Sequence, residues 1–207
     1  MPVEKTPAER KKDNRRQRIL KIALDAFLEQ GYANTSMSTI ASLVGGSKGT
    51  LYNHVKTKEE LFVACVEDFI ASHARQTFSA IEEGGPPREV LTKFCRYFIT
   101  AIMSPTDLAL SRLVMAESVR FPAIGKAFFA SGPQEGRRRL AAYIGTAMDD
   151  GLLRKGDPLR AAQLLFSLCE STTYQEVLFN VARPPGRKKI ASEAELAVAT
   201  FLSVHGL

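Results

Sequence analysis

Ser36–Phe62, SMSTIASLVGGSKGTLYNHVKTKEELF, decides the fold. Ser36 is a favourable N-cap, and Ile40, Ala41, Val44 and, less cleanly, Leu43 give the helix that follows an apolar side. Gly45-Gly46 ends that helix, because glycine enters left-handed backbone at no steric cost. Ser47 can cap a second helix, from Lys48 to about Val55. Thr57, with Glu60 three residues on, forms a capping box ahead of Leu61 and Phe62. Three capped starts around one glycine turn predict a helix-turn-helix.

The second of these helices points to DNA. Leu51 and Val55 are four apart and face a core, which leaves Lys48, Thr50, Tyr52, Asn53 and His54 on the remaining surface. Such side chains can enter a major groove and meet base edges and flanking phosphates. Gly49 lets backbone approach a phosphate, and Lys56 and Lys58 add charge just beyond the helix. The competing reading is a solvated polar face on an unrelated bundle.

Ser47–Phe62, SKGTLYNHVKTKEELF, resembles the DNA-binding motif of the TetR/AcrR family of bacterial transcriptional regulators. Gly46 stands where that family usually has a small apolar residue, and Val55 where it usually has an aromatic. Neither departure removes a polar group that would touch DNA. The resemblance implies DNA contacts from Ser36, Ser47, Lys48, Gly49, Thr50, Tyr52, Asn53, His54 and Lys58, with Tyr32 seating the first helix against the motif. RLVMAESVRFPAIGKAFFASGP, from Arg112, is similar to the ligand-binding part of an AcrR-like branch.

The chain has 207 residues, 45% of them hydrophobic, enough for a real core. No apolar run approaches the roughly 20 residues of a membrane span, and the basic N-terminus leads into no hydrophobic segment, so no membrane partner or secretion signal is expected. Cys65, Cys95 and Cys169 are odd in number and widely spaced, which predicts free thiols and a cytoplasmic location. Net charge is +6, and Met1 to Lys21 carries eight Lys or Arg against three acidic residues. We therefore expect a basic arm over residues 1–13 lying against phosphate backbone.

Apolar spacing predicts an all-α chain of nine or ten helices. A DNA-binding domain covers 14–62, its last helix continuing to about Ile81; Gly84 to Pro87 marks a boundary, and a ligand-binding and dimerisation domain covers 86–207. Thr106 is expected to cap one helix of this half. Asp157-Pro158 opens another expected to reach about Val181, and the last is expected over Ser192–Val204. Candidate pocket residues are Phe98, Met103, Met115, Phe121, Phe166 and Tyr174, with Glu117 or Glu170 as polar anchor. Met115 and Glu117 lie two apart, so at least one points away from any single cavity. A two-fold interface built as a four-helix bundle is expected from Leu140, Ile144 and Met148 with Leu165, Leu168 and Thr172.

No cofactor and no metal site is expected, because His54, His73 and His205 are far apart and no Cys-x-x-Cys is present. Gly45-Gly46-Ser47-Lys48 lacks the strand and glycine spacing of a phosphate loop, and no catalytic triad can be argued. The expected function is a homodimeric repressor released from a palindromic operator by a small apolar or amphipathic effector. Control by cysteine oxidation is the alternative, and a helical enzyme a third reading.

Overall fold

The computed structural model describes residues 6–45 and 55–207, the side chains of residues 7–12 excepted. Among the described residues the chain is all-helical: α1 (Pro7–Gln30), α2 (Met37–Val44), α3 (Lys58–Glu83), α4 (Pro87–Ile102), α5 (Pro105–Glu117), α6 (Pro122–Phe129), α7 (Glu135–Asp149), α8 (Pro158–Cys169), α9 (Thr172–Leu178) and α10 (Arg187–His205). A five-residue π-helical turn, Ala130–Gln134, with Pro133 inside it, joins α6 to α7. Proline has no N–H to place in the wider turn, so its cost there is small.

Local chemistry sets most ends. The Ser36 hydroxyl accepts the Thr39 N–H at 3.0 Å and starts α2. Gly45, at φ 71°, stops it. The Glu60 N–H donates to the Thr57 hydroxyl at 3.0 Å, and the Glu60 carboxylate accepts the Lys56 N–H at 2.8 Å. The box at the head of α3 is thus closed one residue earlier than the usual reciprocal pair. Ser104, not Thr106, caps α5 by accepting the Asp107 N–H at 3.2 Å. Asp157 accepts the N–H groups of Leu159 at 2.9 Å and Arg160 at 3.2 Å, ahead of proline at the first position of α8. Asp157→Ala should cost about 1 kcal/mol, read as a lower urea midpoint at unchanged slope; no change would mean another group caps α8.

Three boundaries differ from expectation. α1 begins at Pro7, so the basic run Arg10–Arg18 is on a helix rather than ahead of one. The long helix expected from Pro158 to Val181 is two helices. Glu170 leaves the helical region at ψ 48°, Ser171 is extended at ψ 177°, and α9 restarts at Thr172. Ser171, Thr172 and Thr173 all favour caps over helix interiors, and the Thr173 hydroxyl is held by Glu193 at 2.9 Å. α10 begins at Arg187, five residues before Ser192.

The chain forms two compact units, residues 1–71 with 113–129, and residues 72–112 with 130–207. The first is built on Ile19, Leu20, Ala23 and Phe27 of α1, Ile40 and Ala41 of α2, and Leu61, Phe62, Cys65 and Val66 of α3. In the second, α10 packs on α4 and α8, and α7 packs on α8. Its core holds Leu91, Phe94, Cys95 and Ile99 of α4, Leu140, Ile144 and Met148 of α7, Leu165, Phe166 and Cys169 of α8, and Val198 and Phe201 of α10. The helices α3 and α5 each contribute residues to both units.

Candidate nucleic-acid interface

The described part of the motif is a scaffold around Tyr32. Gly31, at φ 81°, ends α1 and drops Tyr32 into the core, where it is 2% exposed. Its ring meets Phe27 at 5.6 Å, Phe62 edge-on at 5.2 Å and Phe121 edge-on at 4.8 Å. Offset and edge-on pairs of this kind add to area burial. Thr35, also buried, donates its hydroxyl to the Gly31 carbonyl at 2.8 Å. The turn between α1 and α2 is therefore held from both sides, in agreement with the seating role expected for Tyr32.

Lys58 is tied into its own chain. Its ammonium donates to the carbonyls of Tyr32 at 2.8 Å and Ala33 at 3.3 Å, and lies 4.4 Å from the Tyr32 ring centre. Burial lowers its pKa, Glu117 raises it and Arg120 lowers it. Burial raises the Tyr32 pKa, with Glu59 and Glu117 acting in the same direction. The Lys58 ammonium thus braces the scaffold within its own chain. Ser36 caps α2, its hydroxyl also 2.8 Å from that of Thr39. Ser47, Lys48, Gly49, Thr50, Tyr52, Asn53 and His54 lie outside the described residues. On α1, Arg15, Arg16 and Arg18 are exposed.

The candidate pocket residues divide between the units. Met115, Glu117 and Phe121 belong to the first; Phe98, Met103, Phe166, Glu170 and Tyr174 belong to the second. Met115 is 55% exposed, whereas Glu117 is half-buried, as their spacing requires. Phe121 packs on Tyr32, so its contact is with the motif scaffold. In the second unit Phe98 stacks parallel to Phe94 at 6.1 Å and meets Phe166 edge-on at 4.7 Å. Met103 is buried. Burial raises the Glu170 pKa against the pull of Arg137. Tyr174 is raised by burial and then by Asp107 and Glu170, while a hydrogen bond with Ser111 and the charge of Arg112 oppose. Asp107 and Ser111 therefore join Glu170 around one phenol. Asp107 is not evident from sequence because an acid in a helix's first turn is ordinarily a dipole partner.

The expected dimer residues also divide. Leu140, Ile144, Met148 and Leu165 are at most 3% exposed within this one chain, packing α7 against α8 in its own core, so they are unavailable to a second copy. Leu168 and Thr172 instead line a surface groove of about 310 Å³ with Ser167, Ser171, Leu196 and Thr200. Leu196 is 64% exposed.

The three thiols are buried. Cys65 donates to the Leu20 carbonyl at 3.3 Å, and burial pushes its thiol up to about 12. Cys95 is raised by its hydrogen bond to Cys169 and by burial. No group of three or more metal-ligating side chains occurs among the described residues, and no single helix there is long and apolar enough to cross a membrane.

Comparison with known proteins completes the assignment. Residues 19–65 match the family model described as bacterial regulatory proteins, tetR family. Residues 89–206 match that of the AefR-like transcriptional repressor C-terminal domain. The uncharacterized HTH-type transcriptional regulator YhgD of Bacillus subtilis (strain 168) is 25% identical over 93% of this chain and 98% of its own. The chain spans less than a third of the length of some other curated relatives. A crystal structure assigned to a TetR-family transcriptional regulator of Mesorhizobium loti MAFF303099 superposes with a TM-score of 0.86 at 28% identity, over 98% of this chain and 100% of that one. The flavonoid-responsive regulator FrrA gives 0.78 at 29% identity, over 94% and 98%. With one family model on the motif and another across the C-terminal half, the chain is a member of the TetR family of bacterial transcriptional regulators.

Proposed function

We propose that the chain is a homodimeric repressor whose residues 47–54 read a palindromic operator and whose C-terminal half binds a small apolar or amphipathic effector. The observation that carries this reading is the described scaffold on both flanks of that segment. The capped α2 and the boxed start of α3 are held together through Tyr32 and Lys58, as a reading helix requires. The basic surface of α1 supplies phosphate contacts. In a dimer the two recognition helices would lie about 34–36 Å apart, one turn of DNA.

Exposed Leu196 of α10 and the groove-lining Leu168 of α8 are the apolar surface we assign to the two-fold contact, in place of the buried α7 stripe. The effector belongs with the aromatic and carboxylate groups of the second unit. The likeness to FrrA, a flavonoid-responsive regulator, supports planar aromatic molecules as the first class to screen. An effector that prefers the dimer with wrongly spaced DNA-binding ends lowers DNA affinity by the factor by which DNA lowers its own. We assign transmission to α3, which runs through both units.

Footprinting on DNA flanking the chain's own gene, titrated with salt, tests the reading. Lys48→Ala should weaken binding to all sequences and reduce the salt slope by about one. Thr50→Ala and Asn53→Ala should change sequence preference instead. Equal loss on every sequence for all three variants would refute this division of roles. Absence of DNA affinity even at low salt would refute the function.

A further inference from the structure

Residues 113–129 stand in the middle of the C-terminal half in sequence, yet they fold into the unit that carries the DNA-binding motif. Val114 and Ile124 are buried there. The turn between α5 and α6 is tightly hydrogen-bonded. The Ser118 N–H donates to the Val114 carbonyl at 2.9 Å, that of Phe121 to Glu117 at 2.8 Å, and that of Ile124 to Phe121 at 3.0 Å. An added Cβ on Gly125 would come within 3.0 Å of the Ser118 Cβ, so α6 closes directly on this turn. Phe121 is thereby presented edge-on to Tyr32 at 4.8 Å, with the Arg120 guanidinium 5.3 Å from its own ring centre. Glu117, one turn before, supplies the negative charge that Lys58 and Tyr32 both sense.

The consequence lies in what the Tyr32–Lys58 clamp brackets. Tyr32 and Ala33 precede α2, and Lys58 is the first residue of α3. One ammonium on two carbonyls therefore ties together the chain entering and leaving residues 37–57. Phe121 closes the ring side of the clamp. Binding to arbitrary DNA depends on phosphate contacts and tolerates a small misalignment. Reading base edges does not, because those hydrogen bonds have narrow geometry.

We propose that Phe121 is a positioning residue for sequence recognition: it holds the Tyr32–Lys58 clamp and so sets how well the chain distinguishes its site from other DNA. This rests on the DNA-binding function proposed above. It assigns the turn after α5 a part in specificity.

The test uses the full chain and a duplex enriched from a random pool by the wild type, with a scrambled duplex of equal length. Fluorescence anisotropy gives both affinities at one salt concentration. A variant that merely unfolds more loses both by the same factor, so the ratio reports positioning alone. Phe121→Leu is expected to lower the ratio roughly tenfold. Phe121→Tyr, which keeps the ring, should retain it within about twofold. An unchanged ratio in Phe121→Leu, with a wild type that does enrich a duplex, overturns the inference alone. A wild type that enriches no duplex overturns the DNA-binding reading and the inference together.

Discussion

Phe94→Ala is expected to destabilise the second unit by about 3–5 kcal/mol. Phe94 is fully buried in α4, between Phe78 at 5.3 Å, Phe98 stacked at 6.1 Å and Phe166 edge-on at 5.7 Å. The alanine leaves a ring-sized void lined by three other rings. Those rings belong to α3, α4 and α8, so closing the void means moving helices that also carry the remaining core. Gly136 adds a constraint: a Cβ built there would meet the Phe166 ring at 3.2 Å, so Phe166 already lies close against the start of α7. Collapse is therefore hindered, which puts the cost toward the upper part of the range. A domain's whole stability is about 5–15 kcal/mol, so the variant should retain little reserve. Calorimetry should show the transition falling by roughly 10 °C. A loss below about 1 kcal/mol would mean that the ring cluster repacks and that α4 is not fixed by Phe94.

The same cluster shows why local sequence reading reaches some facts and stops at others. Helix starts at Ser36, Thr57 and Asp157, and the stop at Gly45, were legible because a cap is decided by two or three neighbouring residues. The break at Glu170-Ser171 was not, because neither Gly nor Pro marks it and the apolar pattern continues across it. The run Ser171-Thr172-Thr173 was the available signal. α10 begins on Arg187-Lys188-Lys189, which has no apolar period to detect.

Partners are harder than elements. The spacing of Leu140, Ile144 and Met148 correctly indicates burial, but an apolar stripe is the same whether a second copy or the next helix covers it. Here α8 of the same chain covers it. Lys58 reads as a phosphate contact because it is a cation at the edge of the motif. It also donates to carbonyls 25 and 26 residues earlier in the chain, a distance no window on the sequence spans. Phe98 and Phe166 read as candidate cavity lining, and in the structure they pack on each other. Aromatic side chains in helices fill core more often than they wait for ligand. What sequence conveys about the candidate site is its chemistry at residues 47–54; what structure adds is the clamp that flanks it.

Asp107→Asn should stabilise the protein at neutral pH and flatten its pH dependence. Asp107 lies in the first turn of α5, its own N–H given to the Ser104 hydroxyl. Burial pushes its carboxyl up to about 6, against the opposing pull of His73. The groups that act on this corner are His73 from α3, Tyr174 and, through Tyr174, Glu170 and Arg112. In the unfolded chain the carboxyl returns to about 3.9. Between those values the folded protein binds more protons than the unfolded one, so stability falls as pH rises through the window. The loss is complete above the folded pKa, and amounts to about 3 kcal/mol from a shift of this size. Asparagine keeps the shape and never ionises. Its advantage over the wild type should therefore grow from near zero at pH 4 to about 2–3 kcal/mol at pH 7, read from urea midpoints at each pH. An advantage that is the same at pH 4 and pH 7 would show that the carboxyl is solvated in the folded state. The corner formed by Asp107, Ser111 and Tyr174 would then be open to water in the folded chain.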